Sequence, residues 1–285
     1  MKKGLCFWSL PDTYSTIEGL HLAKSAGFDG AELLFNENGL CNVNHPNPEQ
    51  EVQRIANEEG IKLISLTWGP GWHRYFLTHA DPKLRAQTRD NLKKMIDMAQ
   101  KLGMELVLLQ CGALDLGKFT IDKRFQPSTD FLDYEAAYDA VLKALLELAP
   151  IAESANIVIG LENVVGKFMY SPLEMRNLLD AVDSAHVQCY FDIGNAQVIG
   201  NPVDWIRVLG KRIRQIHIKD YRADAGCRGF CGLLAGDVNW PAVAKALQDI
   251  SFDGYCFAEM RPSYQHYPDQ MLFHTSDAMN LIFQA

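Results

Sequence analysis

The chain has 285 residues, 48% hydrophobic and 22% charged, with a net charge of −8 at pH 7. It is long enough to bury one large core, its acidic balance opposes a general nucleic-acid surface, and no apolar run reaches the roughly 18 residues of a membrane span. Met1-Lys2-Lys3 has the charged start of a signal peptide, but Pro11-Asp12 cuts the apolar run short and no cleavage site follows, so the expectation is a first strand in a cytoplasmic protein.

In chain order, eight strand–helix units are expected. The first strand lies near 4–10, and Ser15-x-x-Glu18 forms a capping box for a helix from Thr16 to Ser25. Gly27 precedes a second strand at 29–35, and Pro48 opens a helix to Glu59. The third strand is 62–68, followed by a Gly-, Pro- and aromatic-rich segment, 69–80, that reads as a lid. Asp81-Pro82 starts a long helix to Leu102, strand four is 105–111, and 112–132 is a second long loop. A helix over 133–155 leads to strand five, 157–162. Ser171-Pro172 and Asn201-Pro202 open the next two helices, around strand six at 187–192. Strand seven is 213–219, a Gly/Cys/Arg-containing loop follows at 222–238, a helix begins at Pro241, strand eight is 255–259, and the last helix ends near Phe283. Strand and helix alternate without a linker or a low-complexity tract, so the fold class is α/β, a single-domain (β/α)8 barrel spanning residues 1–285.

Seven cysteines, odd in number and dispersed, argue against a disulfide framework. Cys6, Cys111, Cys189 and Cys256 fall in expected strands, as small hydrophobes. Cys227 and Cys231 are the close pair, too few for a closed zinc site.

Four stretches in the second half carry the chemistry. Gly160-Leu-Glu-Asn163, Tyr190-Phe-Asp-Ile-Gly-Asn195, Gln215-Ile-His-Ile-Lys-Asp220 and Cys256-Phe-Ala-Glu-Met260 each run apolar residues into an acid or an imidazole. The residues so placed are Glu162, Asp192, His217 and Glu259, spaced as the ends of successive barrel strands. Singly, each reads as a helix cap, a loop ion pair or a core histidine. Jointly, three carboxylates buried at one barrel end cost several kcal/mol each unless a cation compensates them, about what a divalent metal supplies.

These motifs, with Gly236-Asp-Val-Asn-Trp240, resemble the xylose isomerase-like TIM-barrel superfamily of sugar and sugar-phosphate isomerases and epimerases, over essentially the whole chain. The resemblance to its D-tagatose 3-epimerases and L-ribulose- or L-xylulose-5-phosphate 3-epimerases implies one divalent ion held by Glu162, Asp192, His217 and Glu259, manganese first, with magnesium, cobalt or zinc as alternatives. It also implies Glu162 and Glu259 as the acid/base pair that inverts C3 of a ketose or ketose phosphate through an enediolate, and a homo-oligomer, dimer or tetramer. Two departures argue against a plain tagatose-type substrate: Asn195 stands where those enzymes carry a histidine, and Lys167-Phe168 where they carry a second glutamate.

Substrate contacts are expected from Trp8 and Trp68 as apolar walls, from Asn195 to a sugar hydroxyl, and from Lys219 to a substrate oxygen, against core packing for Trp8 and an ion pair for Lys219. Trp72 is a further wall candidate; His73 and His79, in the lid, read by default as surface histidines. Glu32, within an alternating strand, reads as an acid behind the ligands; Arg222, Arg228, Lys167 and Arg261 are candidates for a substrate phosphate. Residues 236–240 read as a turn and helix start, with Asn239 as N-cap. The rivals are an aldose–ketose isomerase, an inosose-type dehydratase, a non-catalytic sugar-binding protein, and a DNA-repair nuclease of the same fold. The nuclease needs more histidines at strand ends than this chain places there.

Overall fold

The computed structural model describes residues 1–11, 13–36, 41, 48–69, 76–114, 131–260 and 264–284, without the side chains of 48, 49 and 226–228. Trp72, His73 and Arg261, and the side chains of Cys227 and Arg228, lie outside the described residues.

Eight parallel strands close into a barrel: β1 (Lys2–Cys6), β2 (Gly30–Phe35), β3 (Lys62–Trp68), β4 (Leu106–Gln110), β5 (Val158–Glu162), β6 (Val187–Asp192), β7 (Ile213–Ile218) and β10 (Tyr255–Ala258), which pairs back with β1. The short β8 (Asp220–Tyr221) and β9 (Phe230–Cys231) form an antiparallel hairpin after β7. Outside the barrel run α1 (Thr16–Ser25), α2 (Pro48–Glu59), α3 (Pro82–Lys101), α4 (Tyr134–Ala155), α5 (Pro172–Val182), α6 (Ile193–Ile199), α7 (Pro202–Leu209), α8 (Trp240–Asp249) and α9 (Gln270–Gln284).

Local chemistry accounts for the helix starts. Ser15 and Glu18 close the capping box of α1, and Asp81, Asp133, Ser171, Asn201 and Asn239 each accept a first-turn N–H. Helix α4 ends at Asn156 in the left-handed region, φ 55°.

Alternation along the strands makes two cores. Outward residues such as Leu5, Leu109, Ile159 and Phe191 pack under the helices. Inward residues Ile64, Leu106, Leu108, Tyr190, Tyr255 and Phe257 fill the barrel. The inner aromatics fit because glycines face them. A Cβ at Gly4 would lie 2.3 Å from the Phe257 ring, and one at Gly30 would lie 2.7 Å from that of Tyr255.

The structure shifts several expected boundaries. The first strand is Lys2–Cys6, and Phe7–Ser9 is a 3-10 turn, so the expected 4–10 strand begins earlier and stops at the barrel rim. Cys111 lies just past β4 and Glu259 just past β10. The loop 222–238 contains β9 and a 3-10 turn over Ala223–Arg228. Helix α6 was not expected; it begins directly at the end of β6, with Asp192 as its N-cap. No helix among the described residues is long and apolar enough to cross a membrane.

Candidate active site

Glu162, Asp192, His217 and Glu259 lie at the C-terminal ends of β5, β6, β7 and β10, four adjacent strands of the barrel. Asp192 pairs in register with His217, and Phe257 with the same His217. This brings the four side chains to one layer. His217 Nδ1 lies 3.0 Å from Glu162 Oε1, 3.5 Å from Glu259 Oε2 and 3.8 Å from Asp192 Oδ2. Asp192, His217 and Glu162 are buried, whereas the Glu259 side chain is 20% exposed, so this corner opens toward solvent.

Three of the members are held from behind. Asn163 makes a reciprocal pair with the Asp192 peptide: its Nδ2 donates to Asp192 O at 2.9 Å, and Asp192 N donates to its Oδ1 at 2.7 Å. Asp192 Oδ1 accepts the Asn195 N–H at 2.8 Å, which leaves Oδ2 for the site. Ser9 Oγ donates to Ala258 O and accepts from Met260 N, bracketing Glu259. His217 Nε2 meets Glu32 Oε1 at 2.7 Å, and Ser65 Oγ donates to Glu32 Oε2 at 2.7 Å.

Lys219 adds a cation two residues past His217. Its Nζ is 2.7 Å from Asp192 Oδ2, 2.5 Å from Glu259 Oε2 and 5.1 Å from the centre of the Phe230 ring. The stem fits because residue 194 is glycine: a Cβ there would lie 2.4 Å from Lys219 Cγ. The next residue, Asp220, organises the loop that brings Phe230 over Lys219. Its carboxylate accepts from the peptides of Tyr221, Leu234 and Val238 and from Trp240 Nε1. A Cβ at Gly236 would come within 2.2 Å of Asp220 Oδ1, so residues 236–240 wrap this acid as a turn and helix start.

The electrostatics follow from crowding charges out of water. Burial lifts the Asp192 carboxyl to about 7, with Lys219 opposing that and Glu162 and Glu259 reinforcing it. Burial works against the Lys219 ammonium, but Asp192, Glu259 and Glu162 outweigh it and hold the proton on. For His217 burial again favours the neutral ring, and the surrounding acids, Glu32 first, reverse the balance upward. Cys6, whose Sγ lies beside Glu32 and His217, is pushed well up by burial and then by Glu32, so without a metal it stays a thiol.

The donor set fits one divalent cation. One ligand atom from each of Glu162, Asp192, His217 and Glu259 lies within 4.8 Å of the others. An ion with bonds of about 2.0–2.4 Å spans roughly that distance between opposite ligands. Three hard oxygens with one imidazole nitrogen suit manganese, magnesium or zinc.

The weaker expectations divide. Asn195 is buried, and its Oδ1 has no partner among the described residues, a free acceptor next to Asp192. Trp8 packs on the inner core and donates Nε1–H to Trp68 O at 2.8 Å. The Trp68 ring is buried in the outer core against Phe35, with ring centres 5.7 Å apart, and so is no open wall. Arg222 donates to Ala235 O, and Lys167 lies over Phe131, so each has a local partner away from the acid cluster.

Comparison with known proteins agrees with this architecture. The xylose isomerase-like TIM-barrel model matches residues 20–276. The L-ribulose-5-phosphate 3-epimerase UlaE of Shigella flexneri is 26% identical over 221 residues, 74% of this chain and 71% of that protein. D-psicose 3-epimerase from Clostridium cellulolyticum, solved with D-tagatose, superposes with a TM-score of 0.78 at 16% identity, over 99% of this chain and 98% of that one. The IolI protein, solved with a bound zinc atom, gives 0.80 at 16% identity, over 100% and 98%. The match runs through all four acid- or histidine-bearing strand ends, and the chain belongs to the xylose isomerase-like TIM-barrel family.

Proposed function

We propose that this protein is a divalent-metal-dependent 3-epimerase of a ketose or ketose phosphate. The broad class is an enzyme of the sugar epimerase and isomerase kind. One observation carries the finer reading: three carboxylates converge on Nδ1 of a single buried histidine at four adjacent strand ends. Glu162, Asp192, His217 and Glu259 would hold the ion, which when bound supplies Lewis acidity to the substrate's carbonyl and hydroxyl oxygens and so stabilises an enediolate.

The chain's own groups do the rest. Glu162 and Glu259 stand at the two ends of the four-strand arc, so they can address one carbon from two sides. One takes the C3 proton and the other returns a proton to the opposite face, which inverts the centre. Asp192 is fixed by Asn163 and by α6, and serves as an anchor. Lys219 holds Glu259 in place and offers a donor to the oxygen on which charge develops. Asn195 Oδ1 accepts a substrate hydroxyl, and Trp8 supplies apolar surface. Similarity to sugar epimerases supports a homo-oligomer, which a monomer in sedimentation would reject.

Proton exchange in D2O, followed by NMR over free and phosphorylated ketoses with Mn2+, tests the reading. Deuterium at C3 with a new C3 epimer is expected. Deuterium at C1 or C2 with aldose formation would make the enzyme an aldose–ketose isomerase, and no exchange with any sugar would reject the epimerase.

A further inference from the structure

We propose that Glu32 is the positioning residue of the site. It fixes His217 as the Nε2–H tautomer and so presents Nδ1 as the metal donor. The inference rests on the metal reading above and extends it to a strand on the other side of the barrel.

Strand β2 does not neighbour β7; β1 and β10 lie between them, so Glu32 reaches His217 across the interior. The β2–β3 register shifts between Ala31 and Glu32, and after the shift Glu32 pairs with Ser65. Such an irregularity re-aims a side chain. The result is a carboxylate with no solvent exposure, one oxygen 2.7 Å from His217 Nε2 and the other 2.7 Å from Ser65 Oγ. A wholly buried charge is costly unless compensated, and the cationic or proton-donating ring within hydrogen-bond reach is that of His217.

The direction of this hydrogen bond decides the chemistry. An ionised carboxylate only accepts, so the proton at the Glu32 contact belongs to Nε2. The other ring nitrogen faces Glu162, Glu259 and Asp192, three further acceptors, so it too carries a proton without an ion, and that is the proton a bound cation displaces. A ring turned over would put carbon atoms where the two nitrogens now sit. Tyr190, its ring centre 4.5 Å from that of the imidazole, packs against it and opposes the turn. Glu32 therefore sets which nitrogen is the ligand and how basic it is, without touching substrate. Losing such a partner weakens metal binding by about 10–100-fold. A Glu32 that merely tied two strands together would leave metal affinity alone.

The test uses Glu32→Gln, which keeps the shape, and Glu32→Leu, which removes the acceptor. Mn2+ affinity is measured by titration calorimetry. The His217 ring nitrogens of the Zn2+-loaded protein are followed by 15N–1H correlation, assigned with His217→Ala. We expect Mn2+ binding about 10-fold weaker in the first variant and up to about 100-fold weaker in the second. In the loaded wild type, the proton should sit on Nε2. If Glu32→Leu does not fold, Glu32→Gln and the wild-type spectrum decide. An unprotonated Nε2, or wild-type Mn2+ affinity in every folded variant, overturns the inference while the metal site stands. A wild-type chain that binds no divalent ion overturns both.

Discussion

Asn163 and Asp192 are joined through a closed pair of hydrogen bonds, side-chain amide to main-chain peptide, at 2.7 and 2.9 Å. The pair ties the end of β5 to the end of β6 immediately beside Glu162 and Asp192. It links two candidate ligands through the main chain.

Asn163→Ala should therefore act on stability and on metal together. It leaves the buried N–H of Asp192 without a partner, at about 1–3 kcal/mol, while the Asp192 carbonyl, as the N-cap of α6, keeps its first-turn bond. A loss of about 1–3 kcal/mol in urea unfolding is expected, with weaker Mn2+ binding. Asn163→Asp should be no better, because it keeps an acceptor for the N–H, loses the donor to the carbonyl and adds charge. A variant as stable as wild type would remove this pair from the support of the site.

The same contact marks where sequence reading stops. The acid-ended strands, the Ser, Asp and Asn caps and the strand–helix alternation are local patterns, and they were legible. Glu32 could be seen as an acid in an alternating strand, but its bond to His217 spans 185 positions. Asp220, which gathers four N–H groups, has three of them beyond an intervening loop. Helix α6 is masked because one carboxylate of Asp192 serves two ends: Oδ1 caps the helix and Oδ2 faces the cluster. Trp68 lies in the outer core, and a strand-end aromatic gives no local sign of which side of the barrel it faces. The Asp-x-x-Asn spacing at 192–195 was the available signal for the cap.

Lys219 gives a second prediction. Its ammonium contacts both Asp192 and Glu259 inside the cluster. Lys219→Met leaves two carboxylates without their cation, and breaking a buried pair costs about 3–5 kcal/mol. That cost should appear in the metal-free protein and shrink when Mn2+ is saturating, because the ion takes over the charge. Solvent proton exchange of the substrate should fall about 100-fold or more even with metal bound, from the lost donor. Equal metal-free stability in variant and wild type would show that Lys219 is not the charge partner.

Removing the metal is the third. A ligand that binds only the folded chain stabilises it by about 2.7 kcal/mol at a hundredfold excess over Kd. For a barrel of this size that corresponds to a rise of roughly 4–5 °C in Tm. Chelator-treated protein should melt lower by that margin and recover on adding Mn2+. His217→Ala should lose most of the response, since it removes the atom on which the three carboxylates converge. A full Mn2+ response in that variant would move the ion elsewhere.

The fourth concerns the opposite end of the barrel, where charge pairs serve stability and not chemistry. Glu105, just ahead of β4, pairs with Lys62 at 2.5 Å and with Arg214 at 2.7 Å. Burial alone would raise its pKa, but the two cations outweigh burial and hold it below the usual value. A folded-state pKa below the unfolded value of about 4.3 means the stabilisation is complete above that pH and is lost as pH falls through the folded value. All three groups are a third or more exposed, so solvent screening limits the gain to about 0.5–1 kcal/mol. Glu105→Gln should trail wild type by that amount in urea at pH 7. The gap should narrow as pH drops below about 4, and also in roughly 1 M salt, where the Debye length is near 3 Å. A gap that ignores both pH and salt would mean that Glu105 acts through packing and hydrogen bonding, not through its charge.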